Sequence, residues 1–399
     1  MVGAISVDYD VIVVGAGVAG SEAALEASKA GSKVLILEEH QQVGVPSHCS
    51  GVVSLSGMKL IGLEPNQSFS QKLIIGARFH PPKGEPIEIR KPDPVALILN
   101  RMRLDQFLAK RAVSQGVELR TSTRASKFVR HENGSAGVVT QDGGKVTAKV
   151  IVDASGAGSR LPGQAGLDTP DWSELLPGLQ YELVETPSQD DFVDLFFGSK
   201  RAPGFFAWSI PTGDHSSRVG LASGKGNVKK LLDNLVAENW PKAVVEATKS
   251  GSVLVSGPIG KCWSHNFLVT GDAAGHVKQT TGGGIIIGGY CGQLAGKAAS
   301  QFSTAPETGV KFLREYEMKW RETFSSDLRR MGLARKLFSG LSDETLNRLF
   351  DVLRDHVGDI QDMGDIDFQG KIISRMLRER RLVKLLPRVA ADHLKAVFA

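Results

Sequence analysis

The stretch Tyr9-Asp10-Val11-Ile12-Val13-Val14-Gly15-Ala16-Gly17-Val18-Ala19-Gly20 sets the architecture. Its first six residues are a short apolar, β-branched run, which predicts a buried strand. Three glycines at Gly-x-Gly-x-x-Gly spacing follow, and then Ser21–Ala27, which reads as helix. A second strand, Lys33–Leu37, ends at Glu38. Strand, glycines, helix, strand and acid in this register make a βαβ unit with a dinucleotide fingerprint. Gly15 permits the tight turn. Gly17 lets backbone N–H groups approach a pyrophosphate at the positive end of the helix, and Gly20 lets the helix close on the strand. Glu38 stands 23 positions after Gly15, near the ~20 expected of the carboxylate that accepts hydrogen bonds from an adenosine ribose.

The remaining composition narrows the classes. A chain of 399 residues holds two or three domains at roughly 100–200 residues each. A hydrophobic fraction of 41% and a charged fraction of 23% exclude disorder, collagen and a disulfide-stapled mini-protein. Cys49, Cys262 and Cys291 share no Cys-x-x-Cys spacing. No metal site and no dithiol redox motif are therefore expected. No apolar run reaches the roughly 20 residues of a membrane span. The acids Asp8 and Asp10 and the short Val11–Val14 run do not read as a secretory leader, so a cytoplasmic protein is expected.

The charge is uneven. Residues 371–395 carry eight Lys or Arg against Glu379 and Asp392, a net +6, while the whole chain is +5. Nucleic acid binding is one reading of such a segment. Ile372, Ile373, Met376, Leu377, Leu382, Leu385 and Leu386 interleave at helical spacing, which suits an anionic membrane surface at least as well. A solvated helix docked on its own protein is the plain alternative. The expected partner is a membrane, at the inner face of the cell membrane, and not nucleic acid.

Four further segments bear on which dinucleotide binds. Arg101-Met102-Arg103-Leu104-Asp105-Gln106-Phe107-Leu108 opens a helix with an arginine. It resembles a segment of flavin monooxygenase-like proteins in which the arginine reaches the flavin. Val150–Asp153 runs into Ala154-Ser155-Gly156, similar to an Asp-Gly motif of that group, with Ser155 where aspartate is usual. Phe267–Thr270 delivers Gly271-Asp272, whose carboxylate is suited to a ribityl chain. Thr281-Gly282-Gly283-Gly284-Ile285 enters a helix with its amides bare, suited to a ring on which negative charge develops. Gln279 stands where similar proteins have proline.

Together these segments resemble the p-hydroxybenzoate hydroxylase group. The resemblance implies an α/β, glutathione-reductase-type FAD-binding Rossmann domain over residues 1–165 and 250–305. An antiparallel-sheet substrate domain is expected over 166–249, with part of 52–98 joining its sheet, and a C-terminal helical region over 306–399. It places FAD contacts at Gly15, Ala16, Gly17, Val18, Ala19, Gly20, Glu38, Glu39, Cys49, Ser50, Arg101, Ala125, Gly271, Asp272, Gly283, Gly284 and Ile285. A second nicotinamide fingerprint and a redox cysteine pair are absent from the sequence. A transient electron donor, NAD(P)H or ferredoxin, is expected, and a monomer.

Two segments speak to chemistry. Phe206-Ala207-Trp208-Ser209-Ile210-Pro211, with Gly220 beyond, resembles the Tyr-x-Trp-x-Phe-Pro motif of geranylgeranyl reductases and the Trp-x-Trp-x-Ile-Pro of flavin halogenases. Gly44-Val45-Pro46-Ser47-His48-Cys49 matches the Gly-x-Pro-x-x-Cys loop of geranylgeranyl reductases. Tyr316-Glu317-Met318-Lys319-Trp320-Arg321 resembles their C-terminal helical region. The chain is thus identified as similar to geranylgeranyl reductases of the digeranylgeranylglycerophospholipid type. The implied reaction is hydride delivery from reduced flavin to an isolated alkene of a prenyl lipid. That requires a dry site with a positioned acid. Cys49 is the expected proton-handling group and His48 its rival. Phe206, Trp208 and Pro211 are expected to meet the substrate. A flavin monooxygenase or halogenase acting on a small aromatic is the alternative.

Overall fold

The computed structural model describes residues 7–132, 134–187 and 191–398. Parts of the expected domains at residues 1–6, 133, 188–190 and 399 lie outside the described residues. The strand Tyr9–Val14 sits mid-sheet, parallel to Val34–Leu37 on one side and Lys145–Asp153 on the other. Glu118–Arg120 and Phe267–Val269 extend the parallel set. Val11, Ile12 and Val13 have no accessible surface, as a strand covered on both faces requires.

Two helices pack together on this sheet, Val18–Lys29 and the 20-residue Ile285–Thr304. Their backbones come so close that a Cβ at Gly292 would run into the Ala19 carbonyl, and one at Gly296 into the Ala23 carbonyl. The small residues of both helices are what permit this approach.

The second sheet has seven strands, in the order Val244–Leu254, Leu175–Val184, Ser216–Ala222, Ala207–Gly213, Phe192–Phe196, Gly76–His80 and Ile87–Arg90. Every joint is antiparallel except that between Phe192–Phe196 and Gly76–His80. Thus residues 76–90 contribute two strands, and Val244–Leu254 runs across the boundary expected at 249/250. That strand's last residues pair with Leu175–Gly178. The partner strand Leu175–Val184 stops at Val184 because Glu185 adopts a φ of 58°, outside the strand region. One face of the sheet is covered by helix Val228–Asn239, whose Leu232 and Leu235 pack on Phe196, Val219 and Leu221. The other face looks toward the Rossmann sheet. A three-stranded sheet of Val52–Ser54, Ala96–Leu99 and Ser70–Ile74 lies beside it.

The chain finishes in helices Val310–Phe338, Asp343–Arg354, Val357–Met363, Gly370–Leu377, Arg380–Val383 and Leu386–Phe398. Among the described residues no helix is long and apolar enough to cross a membrane.

Alanine is the better helix former by ~1 kcal/mol, yet at Gly292 the clash with a backbone carbonyl outweighs that gain. Gly292→Ala is expected to lower the unfolding free energy by about 1–3 kcal/mol. Gly358, also helical, has nothing within 4 Å of its missing Cβ, and Gly358→Ala should be neutral or stabilising. Chemical denaturation of both variants checks the contrast; a wild-type midpoint for Gly292→Ala contradicts it.

Candidate active site

The space between the two sheets is one cavity of about 2080 Å³. Ordinary small-molecule sites measure ~300–1,000 Å³, so this one has room for a large cofactor and a second molecule together. Its polar half is built on the fingerprint. Gly15 has a φ of 97°, and a Cβ there would stand 2.5 Å from the Ala154 carbonyl oxygen. A Cβ at Gly20 would strike the Gly15 carbonyl, whereas one at Gly17 would meet only the Arg101 guanidinium, 3.8 Å away. Gly17 thus leaves the helix N-terminus open to the cavity, and Gly15 and Gly20 hold the turn that aims it.

Glu38 is buried at the end of its strand. Its Oε2 accepts from the Ala16 amide at 2.9 Å, and its Oε1 from the His40 amide at 3.0 Å. The carboxylate therefore braces the turn as well as lining the cavity. Arg101, at the first position of helix Arg101–Ser114, donates from Nε to Asp105 Oδ1 at 2.8 Å, one turn on. Burial raises the Asp105 carboxyl and Arg101 pulls it back. Asp272 opens onto the cavity at the foot of the Gly282–Gly284 run. A Cβ at Gly284 would lie 2.7 Å from its carboxylate. The helix that follows has no side-chain cap, so its first amides are free for a ligand.

The loop before Val52 crosses the middle of the cavity. Gly44 has a φ of 77° and abuts Met102, and the Val45–Pro46 peptide is cis. Arg218, buried in the seven-stranded sheet, donates to the Ser50 carbonyl at 2.9 Å and to the Leu99 carbonyl at 3.0 Å. This staple fixes Cys49, half-buried, with the Gly51 amide donating to its Sγ at 3.3 Å. His48 lies against Gly251, where a Cβ would be 2.7 Å from its own. Partial burial, and then the charge of Lys249, lower its imidazole. Both effects favour the neutral form of the His48 ring.

The apolar half is one face of the seven-stranded sheet. Trp208 and Ile210 alternate onto it, as do Val193 and Leu195 on the neighbouring strand. Trp208 pairs in register with Gly220. A Cβ there would stand 2.7 Å from the indole, so glycine lets the ring lie flat. Its Nε1 donates to Gln180 Oε1 at 3.1 Å. Phe206 meets Trp208 edge-on with centroids 6.1 Å apart. Pro211 falls on the other face of its strand and does not reach the cavity wall. Ala16 and Gly20 are also off the wall, because the amide of one serves Glu38 and the other packs inward. The remaining expected positions, including Val18, Ala19, Glu39, Ser50, Ala125, Gly271, Gly283 and Ile285, all line it.

Some residues at the site carried no local sequence signal. Lys278 and Asp367 form a buried ion pair at 2.6 Å, and Ser54 also donates to Asp367. The Tyr316–Arg321 segment pins the long helix to the Gly271–Asp272 loop. Tyr316 donates to the Val269 carbonyl at 2.7 Å, Trp320 lies 4.7 Å from the His276 ring, and Arg321 donates to Gly260 O at 2.8 Å. Burial drops His276 to about 3, keeping it neutral beneath the loop.

A family model described as FAD dependent oxidoreductase matches residues 10–168, and a second of the same description matches 93–244. The chain is 34% identical to digeranylgeranylglycerophospholipid reductase 2 of Methanothermobacter thermautotrophicus, over 86% of this chain and 90% of that one. It is 31% identical to the digeranylgeranylglycerophospholipid reductase of Methanothrix thermoacetophila, over 95% and 97%. The chain belongs to this reductase family. Among solved structures it superposes on a geranylgeranyl bacteriochlorophyll reductase-like protein of Thermoplasma acidophilum. The TM-score is 0.84 at 26% identity, covering 96% and 99% of the two chains. Halogenase PltM with phloroglucinol and FAD matches at a TM-score of 0.70, covering 96% and 92%. Its 16% identity makes that a likeness of fold. The family uses FAD, and the open helix N-termini, the free Gly17 face and the cavity carboxylates fit that cofactor.

The purified protein is expected to be yellow and to release FAD, not FMN, on denaturation. FAD at 100 times its Kd should stabilise the stripped protein by about 2.7 kcal/mol. A colourless protein whose melting ignores added FAD contradicts this.

Proposed function

We propose that the protein hydrogenates the isolated C=C bonds of geranylgeranyl chains in a membrane lipid or lipid precursor. One observation carries the reading: a single cavity runs from the fingerprint turn, past Cys49, to an aromatic sheet face. In this reading the Gly15–Gly20 turn holds the pyrophosphate, Glu38 the ribose, Asp272 the ribityl chain, and the amides of Gly284 and Ile285 the ring. Reduced FAD, when bound, supplies the hydride. An isolated alkene is not polarised by a carbonyl, so a proton must reach one carbon as positive charge grows on the other. The apolar walls exclude water from that step. The ring faces of Trp208 and Phe206 favour cationic character next to them.

Cys49 handles the proton. It stands at the junction of the two halves, and its loop is stapled by Arg218, so the Sγ keeps its place between turnovers. His48, whose neutral form is favoured, is less suited to donate. Electrons come from a transient donor, NAD(P)H or ferredoxin, and the protein acts as a monomer.

We further propose that the C-terminal helices rest on an anionic membrane at the inner face of the cell. Arg375, Arg381 and Arg388 are engaged by Asp359, Asp355 and Glu344. Arg378, Arg380 and Lys384 are exposed, and among the described residues no carboxylate holds them. Exposed Leu377, Val383, Leu386 and Leu394 accompany them, giving the apolar and basic mixture that interfacial helices use.

Cys49→Ala should bind FAD normally and be reduced by dithionite. Its flavin should reoxidise with prenyl substrate ~10²–10⁴-fold more slowly in anaerobic single turnovers, the usual contribution of a general acid. Cys49→Ser should recover only part of that rate. Wild-type rates in both variants remove Cys49 from the chemistry.

Replacing Arg378, Arg380 and Lys384 with glutamine should reduce sedimentation with anionic vesicles, with FAD content unchanged. Wild-type binding should weaken as salt rises, because exposed charges are screened. Equal binding to neutral and anionic vesicles at every salt concentration counts against the electrostatic part.

A further inference from the structure

Among the described cations on the apolar half of the cavity, Arg335 is the one with a buried N–H that no hydrogen bond satisfies. Lys278 is paired with Asp367, Lys91 donates to the Gln361 carbonyl, and Lys371 stands exposed. Arg335, on the long helix, lines the wall between Phe205 and Phe338. Its Nη1 donates to the Gly204 carbonyl and its guanidinium lies over the Phe205 ring, 5.3 Å from the centroid. Its Nε is buried and has no partner. Among the described residues no carboxylate lies within ion-pair distance of it; Glu174 acts on it only from farther away.

A guanidinium taken from water without an anion is costly. The protein tolerates that cost at a cavity wall, where a ligand can supply the missing charge. Nε is shut off from the cavity, but among the described residues Nη2 has no hydrogen-bond partner and is not buried, so it is the N–H left to meet a phosphate.

An aromatic path leads away from it. Phe205 stacks on Phe206 with centroids 4.2 Å apart, and Phe206 meets Trp208. Trp208 shares an apolar cluster with Val52, three residues beyond Cys49. We propose that Arg335 binds the phosphate ester at the head of the prenyl lipid, and that the chain runs along Phe205, Phe206 and Trp208 toward Cys49. The proposal rests on the prenyl reading above and adds the polarity of the bound substrate. The phosphate is that of a free prenyl diphosphate or of a glycerolipid.

Calorimetric titration of the oxidised holoenzyme separates these. The probes are geranylgeraniol, geranylgeranyl diphosphate and digeranylgeranylglyceryl phosphate. Wild type should bind at least one phosphate more tightly than the alcohol. Arg335→Gln should weaken that phosphate about 10- to 100-fold, the range of a hydrogen bond to a charged group, with the alcohol's Kd within about twofold. Arg335→Lys should recover part of the loss, which a purely structural role at Gly204 would not predict. Loss confined to the diphosphate supports the free precursor, and loss confined to the glyceryl phosphate supports the lipid. Unchanged phosphate affinity in Arg335→Gln, or a loss produced by Lys371→Gln instead, overturns the assignment while leaving the prenyl reading standing. Failure of wild type to bind any of the three probes overturns both.

Discussion

The close backbone contact between helices Val18–Lys29 and Ile285–Thr304 is the constraint on which the site depends. The fingerprint turn lies at the start of one helix, and the Gly282–Gly284 run at the start of the other. Each N-terminus is an opening for a ligand only if both point into the same space. Gly292 and Gly296 admit the Ala19 and Ala23 carbonyls, and Gly271 sits against the Ala19 methyl group, where a Cβ would approach to 2.9 Å. The two halves of a cofactor site, some 250 residues apart in sequence, are aligned by the absence of side chains. Dispersion across such a seam is small per atom pair and large in sum, and it is lost sharply when the backbones separate.

The C-terminal region then closes what the seam opens. Tyr316, Trp320 and Arg321 fasten the long helix to the Gly271–Asp272 loop. Asp367 reaches back to Lys278 and Ser54. A buried ion pair is weak evidence for stability, since desolvation offsets its attraction, but removing one partner strands a charge. The Lys278–Asp367 pair therefore acts chiefly as a registration device. It has one favourable geometry, and that geometry seats residues 362–367 on the cavity wall.

What was legible in the sequence is what the backbone demands locally. Gly15, Gly17 and Gly20 answer to a turn, an opening and a packing contact within twelve residues. Their roles in the structure follow from the same geometry that made them readable. The Gly44–Cys49 loop was read instead from its resemblance to a reductase motif, and the structure adds that Gly44 adopts a positive φ against the Met102 backbone. Pairings over long separations left no such trace. Nothing near Lys278 announces Asp367, 89 residues on. The resemblance put part of 52–98 in the second sheet, but that Gly76–His80 is the strand pairing with Phe192–Phe196 appears only in the structure. Pro211 was misplaced because a motif gives spacing without saying which face of a strand meets the ligand. Alternation does say it: Trp208 and Ile210 face the cavity, so Pro211 cannot.

The same alternation explains why one face of a seven-stranded sheet can hold a long apolar ligand while the other is ordinary core. Phe196, Ala207, Val219 and Leu221 pack against helix Val228–Asn239 and stabilise the sheet without any ligand. Leu195, Trp208 and Ile210, one residue out of phase, pack beside Ile74, Ala96 and Ile98 and also line the cavity. Gly220 completes the division. It sits between Val219 and Leu221 in the core-facing rhythm, and its missing side chain is the space that the Trp208 ring occupies on the opposite face. A sheet built this way keeps its stability on one side and its specificity on the other, so residues of the cavity face can change with the ligand while the fold beneath them stays intact.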